Sequence, residues 1–464
     1  VEDEMGKAQR PNILLIITDQ QRWDTMAAHV DHFGSKTPTM DRMVRAGVVF
    51  NQAFTTCPIC TPARAAIFTG KMPSEVGMPG NLGNPNPPLN QNITTLAHMM
   101  QQSGYLTVYH GKSHLGTKLD ELGFKHVFEN SHDPSTINEA ARLWRNRDWI
   151  VQKRPFFHVV SLMNPHDIYY LEPGETRPVT LPPWPNAGDD RSTKPWPQRD
   201  YQREQGASPE RWEYYRQYYR SRVEKLDQDL GVLLEELVMG GFGANTYVIL
   251  VADHGDLSGE HGVGFKGPFM YDCQMRVPLV IMPPRPGYPG PGAIARPAGF
   301  RPRVSNVLAT NLDILPTVLD LAGVKPEAPL AGRSLVPAVC GDDAEIHSEV
   351  FGELTMLGKR VAPIRMVRTK RWKYVFYLGH GEELYDLEAD PWEMTNLAGR
   401  AEHAKVQADL RARLLKMIRE TNDPIFTQQP TDNTGKPFTT APIEIPPELR
   451  RDNPGATSPV TWET

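Results

Sequence analysis

Cys60-Thr61-Pro62-Ala63-Arg64, closed by Thr69-Gly70, sets a thiol and a guanidinium four residues apart. On a helix that spacing puts both groups on one face. If Cys60 opens the helix, the free backbone N–H groups and the positive end of the dipole favour an anion at the same place. The pattern then reads as a nucleophile beside an anion cradle, with a thiol whose pKa is lowered by its neighbours. The same residues also fit a buried structural thiol at an ordinary loop-to-helix junction.

Two further pairs carry a different chemistry. Asp19-Gln20 and Asp253-His254 each follow a short apolar run. Two carboxylates with neutral neighbours suit a divalent cation that keeps positive charge for an anionic ligand. Calcium is the first expectation, and the histidine leaves manganese or another divalent metal open. Arg64, Lys112, His114, His166 and Lys266 add basic groups, enough to hold a compact, multiply charged oxyanion such as a phosphate or sulfate ester. A thiol sits awkwardly in this company, because hard cations prefer oxygen.

The elements that would position these residues follow from the apolar patterning. Asn12 to Thr18 is a continuous apolar run of strand length, as are Leu106 to Tyr109, Phe156 to Met163 and Tyr247 to Ala252. Runs of this kind read as strands buried on both faces, the habit of parallel sheets, and ligands collect at the carboxyl ends of such strands. Helical patterns lie between them at Thr39 to Ala46 and Thr94 to Ser103, with Gly47 and Gly104 placed as C-caps. A long helix opens at Ser208-Pro209 and runs to Met239 with an apolar stripe of Tyr215, Tyr219, Leu226, Leu230, Leu233 and Leu237. The expected fold is α/β, a large mostly parallel sheet flanked by helices, over residues 1–350. Residues 172–207 read as a surface insertion without either period. Residues 351–421 read as a smaller C-terminal α+β subdomain, with a strand over Arg365 to Tyr377 and a helix over Ala401 to Thr421. Residues 422–464 form a Pro/Thr-rich tail, disordered or laid over a neighbour, and so a candidate contact for a homo-oligomer.

With 50 basic and 55 acidic residues in 464 and a net charge of -5, the chain has no bias toward nucleic acid or an anionic membrane. Four cysteines are too few for a disulfide framework, and no run approaches the roughly 18 apolar residues of a membrane span. Val1 to Arg10 is too polar for a signal peptide, so the expectation is a soluble chain, either cytoplasmic or periplasmic or secreted with its signal removed.

Several motifs together resemble the type I sulfatases of the alkaline phosphatase superfamily. Cys60-Thr61-Pro62-Ala63-Arg64 with Thr69-Gly70 is similar to their first signature, and Gly104-Tyr105-Leu106-Thr107 through Gly111-Lys112-Ser113-His114-Leu115-Gly116 to their second, with Ser113 where Trp is usual. Asn164-Pro165-His166, Asp253-His254-Gly255 through Glu260-His261 to Lys266, and Glu383-Leu384-Tyr385-Asp386-Leu387 with Asp390-Pro391 and Asn396-Leu397 also match. The resemblance implies an alkaline phosphatase-like fold and conversion of Cys60 to formylglycine by a maturation enzyme, which replaces the misplaced thiol with oxygen. It further implies a metal held by Asp19, Gln20, Cys60, Asp253 and His254. Arg64 and Lys112 would steady the aldehyde hydrate, His114 would act as its base, and His166 and Lys266 would bind the sulfate and assist the leaving oxygen.

Asp19-Gln20 and Asp253-His254 depart from the Asp-Asp and Asp-Asn of many sulfatases and are similar to the phosphonate monoester hydrolases of the same superfamily. Those enzymes lack the Lys and His at the positions of Lys112 and His114, so a sulfate ester is expected, on a small molecule or glycan and most simply a sulfated carbohydrate. An arylsulfatase or a phosphonate or phosphate diester hydrolase is the alternative. Asn81 is a candidate substrate ligand or a turn residue, and Trp184, Trp196 and Tyr201 stack on a sugar or pack the insertion. Cys57 reads as a small buried residue and His261 as a residue behind the site. Arg303 and His380 are candidates to reach it from the far side.

Overall fold

The computed structural model of the chain describes residues 10–83, 86–146, 154–169, 180–190, 192, 194–205, 208–285, 293–431 and 435–436. Its centre is an eight-stranded sheet. In chain order the strands are β1 (Asn12–Asp19), β2 (Val48–Phe54), β3 (Leu106–Gly111), β4 (His126–Glu129), β5 (Phe156–Pro165), β6 (Thr246–Ala252), β7 (Leu279–Met282) and β8 (Arg303–Thr310). They lie side by side as β8-β2-β7-β6-β1-β5-β3-β4. All run in one direction except β7, which is antiparallel to both β2 and β6.

The apolar run of β1 explains its central place. Ile13, Leu15 and Ile17 enter the core on one side of the sheet, and Leu14 and Ile16 enter the core on the other. Successive side chains alternate faces, so a strand covered on both sides must be apolar at every position. Each such side chain contributes on the order of 1.5–3 kcal/mol by burial.

Helices α1 (Pro38–Ala46), α2 (Cys60–Thr69), α3 (Leu96–Gln102) and α4 (Asp133–Arg145) precede α5 (Trp196–Gln205) and the long α6 (Pro209–Met239). Ser208 caps α6 by accepting a hydrogen bond from the Arg211 backbone, and every residue of its expected apolar stripe is buried. Gly47 does not cap α1 in the left-handed conformation expected of it. It is extended, and a Cβ there would lie 2.7 Å from the Ile281 carbonyl oxygen, so glycine is required by close approach to β7.

A second sheet is antiparallel throughout and takes its strands in sequence order: β9 (Val350–Leu357), β10 (Arg360–Arg368), β11 (Trp372–Tyr377) and β12 (Gly381–Asp386). The single strand expected over Arg365 to Tyr377 is two strands joined by a turn. Helix α8, preceded in order by α7 (Ile314–Leu321), spans Ala404–Glu420 and packs Leu410, Leu414 and Ile418 against Val367, Tyr374 and Leu384. The start of the expected tail is anchored: the Asp423 carboxylate pairs with buried Arg365, and Ile425 and Phe426 join the same core. Residues 437–464 lie outside the described residues, and with them most of the tail.

The insertion also differs from a loose surface loop. Within its described part, α5 is a helix held by polar contacts instead of an apolar stripe. Asp200 pairs with Arg360 of β10 at 2.8 Å, Gln198 donates to Tyr377 and Glu383, and the Tyr201 hydroxyl donates to the Lys266 carbonyl at 2.6 Å. Trp184 and Tyr201 are buried and Trp196 stacks on His380, so these aromatics pack the insertion.

Gly111 ends β3 and fixes where the next residue, Lys112, leaves the sheet. Its φ is +102°, and a Cβ would fall 1.9 Å from the Ser161 carbonyl oxygen of β5. Gly111→Ala is therefore expected to lower stability by at least ~1–2 kcal/mol from the backbone conformation alone, and more from the clash. Thermal denaturation checks this, and an unchanged midpoint would contradict the packing described.

Candidate active site

Five segments converge where the parallel strands end. β1 delivers Asp19 and Gln20, β3 delivers Lys112 and His114, β5 delivers His166, β6 delivers Asp253 and His254, and the segment after β2 opens into α2 with Cys60. All ten residues of α2 are buried, which accounts for its small Ala63, Ala65 and Ala66. No side chain of the preceding residue caps it. The Asn81 amide oxygen instead accepts the Thr61 N–H at 3.0 Å, so Asn81 braces the helix start.

The Cys60 sulfur lies 2.9 Å from Lys266 Nζ, 3.2 Å from His254 Nε2, 3.6 Å from Asp19 Oδ1 and 3.9 Å from Lys112 Nζ. Burial alone would push the thiol up, but Lys266, Lys112 and His254, with a hydrogen bond to His114, bring it well below the ordinary cysteine value. Asp19 is likewise opposed by burial, yet Lys112 at 2.7 Å, His166 at 3.9 Å and Arg64 hold it below the usual carboxylate range.

Arg64 is not a free cradle. Its guanidinium donates to Asp253 Oδ2 and Asp19 Oδ2, each at 2.8 Å, to the Lys112 carbonyl at 2.8 Å and to Ser161 Oγ at 2.7 Å. Four contacts consume nearly all of its five N–H donors, so in this arrangement it orders the two carboxylates.

Asp19, Cys60, Asp253 and His254 each offer one donor atom, all within 4.8 Å of one another. His254 Nδ1 faces the Gly255 carbonyl at 2.7 Å and must be the protonated nitrogen, which leaves the Nε2 lone pair toward the cluster. Gln20 is left-handed at φ +66°, its backbone N–H donates to Asp253 Oδ1, and its buried Oε1 has no partner. Two carboxylates, an imidazole lone pair and an orphaned amide oxygen are a donor set that fits a divalent cation. At the rim, His114 is left-handed at φ +54°, and the Nδ1 atoms of His114 and His166 are buried without partners.

Ser161, Tyr169, Tyr215 and Asp256 complete the surroundings and escaped sequence reasoning. Only Asp256 carried a signal, as a fourth polar residue in Asp253-His254-Gly255-Asp256. Ser113 is buried with its hydroxyl on Glu129. His261 stacks on Tyr271 and bonds Asp189 and Asn186. Arg303 stands at the amino end of β8, paired with Asp343, at the opposite end of the strands from the cluster, and His380 packs on Trp196.

A family model described as Sulfatase matches residues 11–324, and one described as N-sulphoglucosamine sulphohydrolase, C-terminal, matches residues 259–420. A Delta 4,5-hexuronate-2-O-sulfatase of Bacteroides thetaiotaomicron is 32% identical over 452 residues, covering 89% of this chain and 90% of its own. The solved structure of a 2-O GAG sulfatase superposes with a TM-score of 0.78 at 28% identity, over 91% of this chain and 95% of that one. The phosphonate monoester hydrolase of Agrobacterium radiobacter shares the fold, with a TM-score of 0.72 at 23% identity over 93% and 100% of the two chains. With motifs, sheet and family model in agreement over more than half its length, the chain belongs to the sulfatase family.

Proposed function

We propose that this chain hydrolyses a sulfate ester of a carbohydrate, with a nucleophile derived from Cys60. The observation that carries this is the placement of the Cys60 sulfur between two lysines and a cluster of metal-ligating groups. Relatives acting on a hexuronate 2-O-sulfate and on a 2-O GAG sulfate support the substrate class. The catalytic unit is residues 1–350, and 351–421 form the C-terminal subdomain.

Asp19, Gln20, Asp253 and His254 would hold the cation, calcium by the hardness of the carboxylates or manganese by the imidazole. When bound, it supplies positive charge against the oxygens of the transferring group. Conversion of Cys60 to formylglycine by a maturation enzyme supplies an oxygen nucleophile in place of sulfur. The chain's own groups do the rest. Lys112 and Lys266 converge on the reacting position and stabilise negative charge as it builds on the sulfuryl oxygens. His114, which reaches Cys60 from the exit of β3, takes a proton from the hydroxyl at that position. His166, at the rim beside Asp19 with its Nδ1 unengaged, delivers a proton to the departing sugar oxygen.

Gln20 and His254 favour a second reading, a phosphonate or phosphate diester hydrolase. Matured enzyme is expected to turn over an aryl sulfate faster than the matching aryl phosphonate ester, and the reverse order would establish the second reading.

Cys60→Ala is expected to reduce sulfate release by at least about a thousandfold, as loss of a nucleophile does. Ion chromatography of released sulfate checks it, alongside intact mass of the wild-type protein to establish the modification. His166→Asn is expected to cost ~10²–10⁴ in kcat on a sugar sulfate and far less on a nitrophenyl sulfate, whose leaving oxygen needs no proton. Equal losses on both substrates would remove His166 from that role.

A further inference from the structure

Gln20 is a side chain that can present either an oxygen or an NH2 group, and only the oxygen can serve a cation. Its Nε2 donates 2.7 Å to Asp256 Oδ1 and 3.2 Å to the Tyr169 hydroxyl. With its other oxygen accepting from Tyr215, Asp256 faces Gln20 as an acceptor, and the contact selects one of the two amide orientations. Asp256 is itself immobile: Tyr215 of α6 donates to its other oxygen at 2.8 Å, and Arg22 Nη1 holds its backbone carbonyl at 2.9 Å. The backbone of Gln20 is pinned from the same helix, because Tyr219 donates to its carbonyl at 2.7 Å. All these groups except Tyr169 are fully buried or nearly so. The atom left over is Gln20 Oε1, buried and without a partner on the residue that follows Asp19.

We propose that Asp256, held by Tyr215, is a positioning residue that locks the Gln20 amide with its carbonyl oxygen toward the cation cluster. Gln20 thereby acts as a neutral oxygen donor that cannot rotate to present its N–H groups. The inference rests on the metal-dependent reading above. It gives α6, remote in sequence from every expected ligand, a direct part in cation affinity. Groups that orient a ligand in this way typically carry ~10–100-fold in metal affinity.

The test is a double-mutant cycle read by calorimetric titration of Ca2+, and separately of Mn2+, into chelator-stripped full-length protein, with the melting temperature of the stripped protein as the control for folding. Asp256→Leu is expected to weaken binding ~10–100-fold. Asp256→Asn, whose oxygen can still accept from Gln20, is expected to bind nearly as the wild type does. In a Gln20→Ala background the effect of Asp256→Leu should vanish, because Asp256 would then have nothing to orient. Should Asp256→Leu fail to fold, Tyr215→Phe keeps the ring, removes the hydroxyl and is expected to weaken binding ~10-fold, again only when Gln20 is present. Wild-type affinity in Asp256→Leu or Tyr215→Phe, or a loss undiminished by Gln20→Ala, would overturn the proposal. Failure of the wild type to bind either cation would instead overturn the metal-dependent reading on which it stands.

Discussion

The guanidinium of Arg64 is the joint on which the site is assembled. It lies wholly out of solvent and meets the ends of β1 and β6 through Asp19 and Asp253, the exit of β3 through the Lys112 carbonyl, and β5 through Ser161. Three strand ends and the body of β5 are thus tied to one turn of α2. Without that charge Asp253 would lose its guanidinium partner and Asp19 would be left to Lys112 and His166, and a buried ion without its partner costs several kcal/mol. Because α2 also starts with Cys60, the same contact that neutralises the carboxylates sets where the reacting atom lies. Lysine could not replace it, since a point charge cannot bridge four partners in one plane.

Electrostatics around that joint are arranged in layers. Arg64 answers Asp19 and Asp253 from inside, Lys112 pairs with Asp19, and Lys266 reaches the Cys60 sulfur. Gln20 and His254 stand where a third carboxylate would raise the negative charge, so the cluster's carboxylates number two. A divalent cation bound there keeps more of its charge for an anionic ester than it would among three carboxylates.

Much of this was legible in the sequence because burial on both faces demands uninterrupted apolar residues. The runs beginning at Asn12, Phe156 and Tyr247 could only be central strands, and the polar residues after them could only stand at their ends. Asp19, His166, Asp253 and His254 follow such runs and Lys112 and His114 lie just past another, whereas Cys60 and Lys266 stood out only through the spacing of their motifs. What a polar group bonds to was not legible. Nothing in the order of residues shows that Arg64 is saturated by protein or that the Asn81 oxygen is spent on a helix start. The aromatic character of Trp184 and Tyr201 is the same whether they meet a sugar or the core. Helix α5 escaped notice because its reasons for being helical, Gln198, Asp200 and Tyr201, have partners more than sixty residues away.

That helix bears on how the chain can be divided. Tyr201 holds the carbonyl of Lys266, and its neighbour Asp200 is locked to Arg360 in the antiparallel sheet. The lysine nearest the reacting atom is therefore seated, through α5, on strands that come almost a hundred residues later in the chain. The second sheet is a foundation for the first and not an accessory. Modular exchange, in which one C-terminal portion is swapped for another, would have to carry the insertion with it, and the two can vary only as a pair.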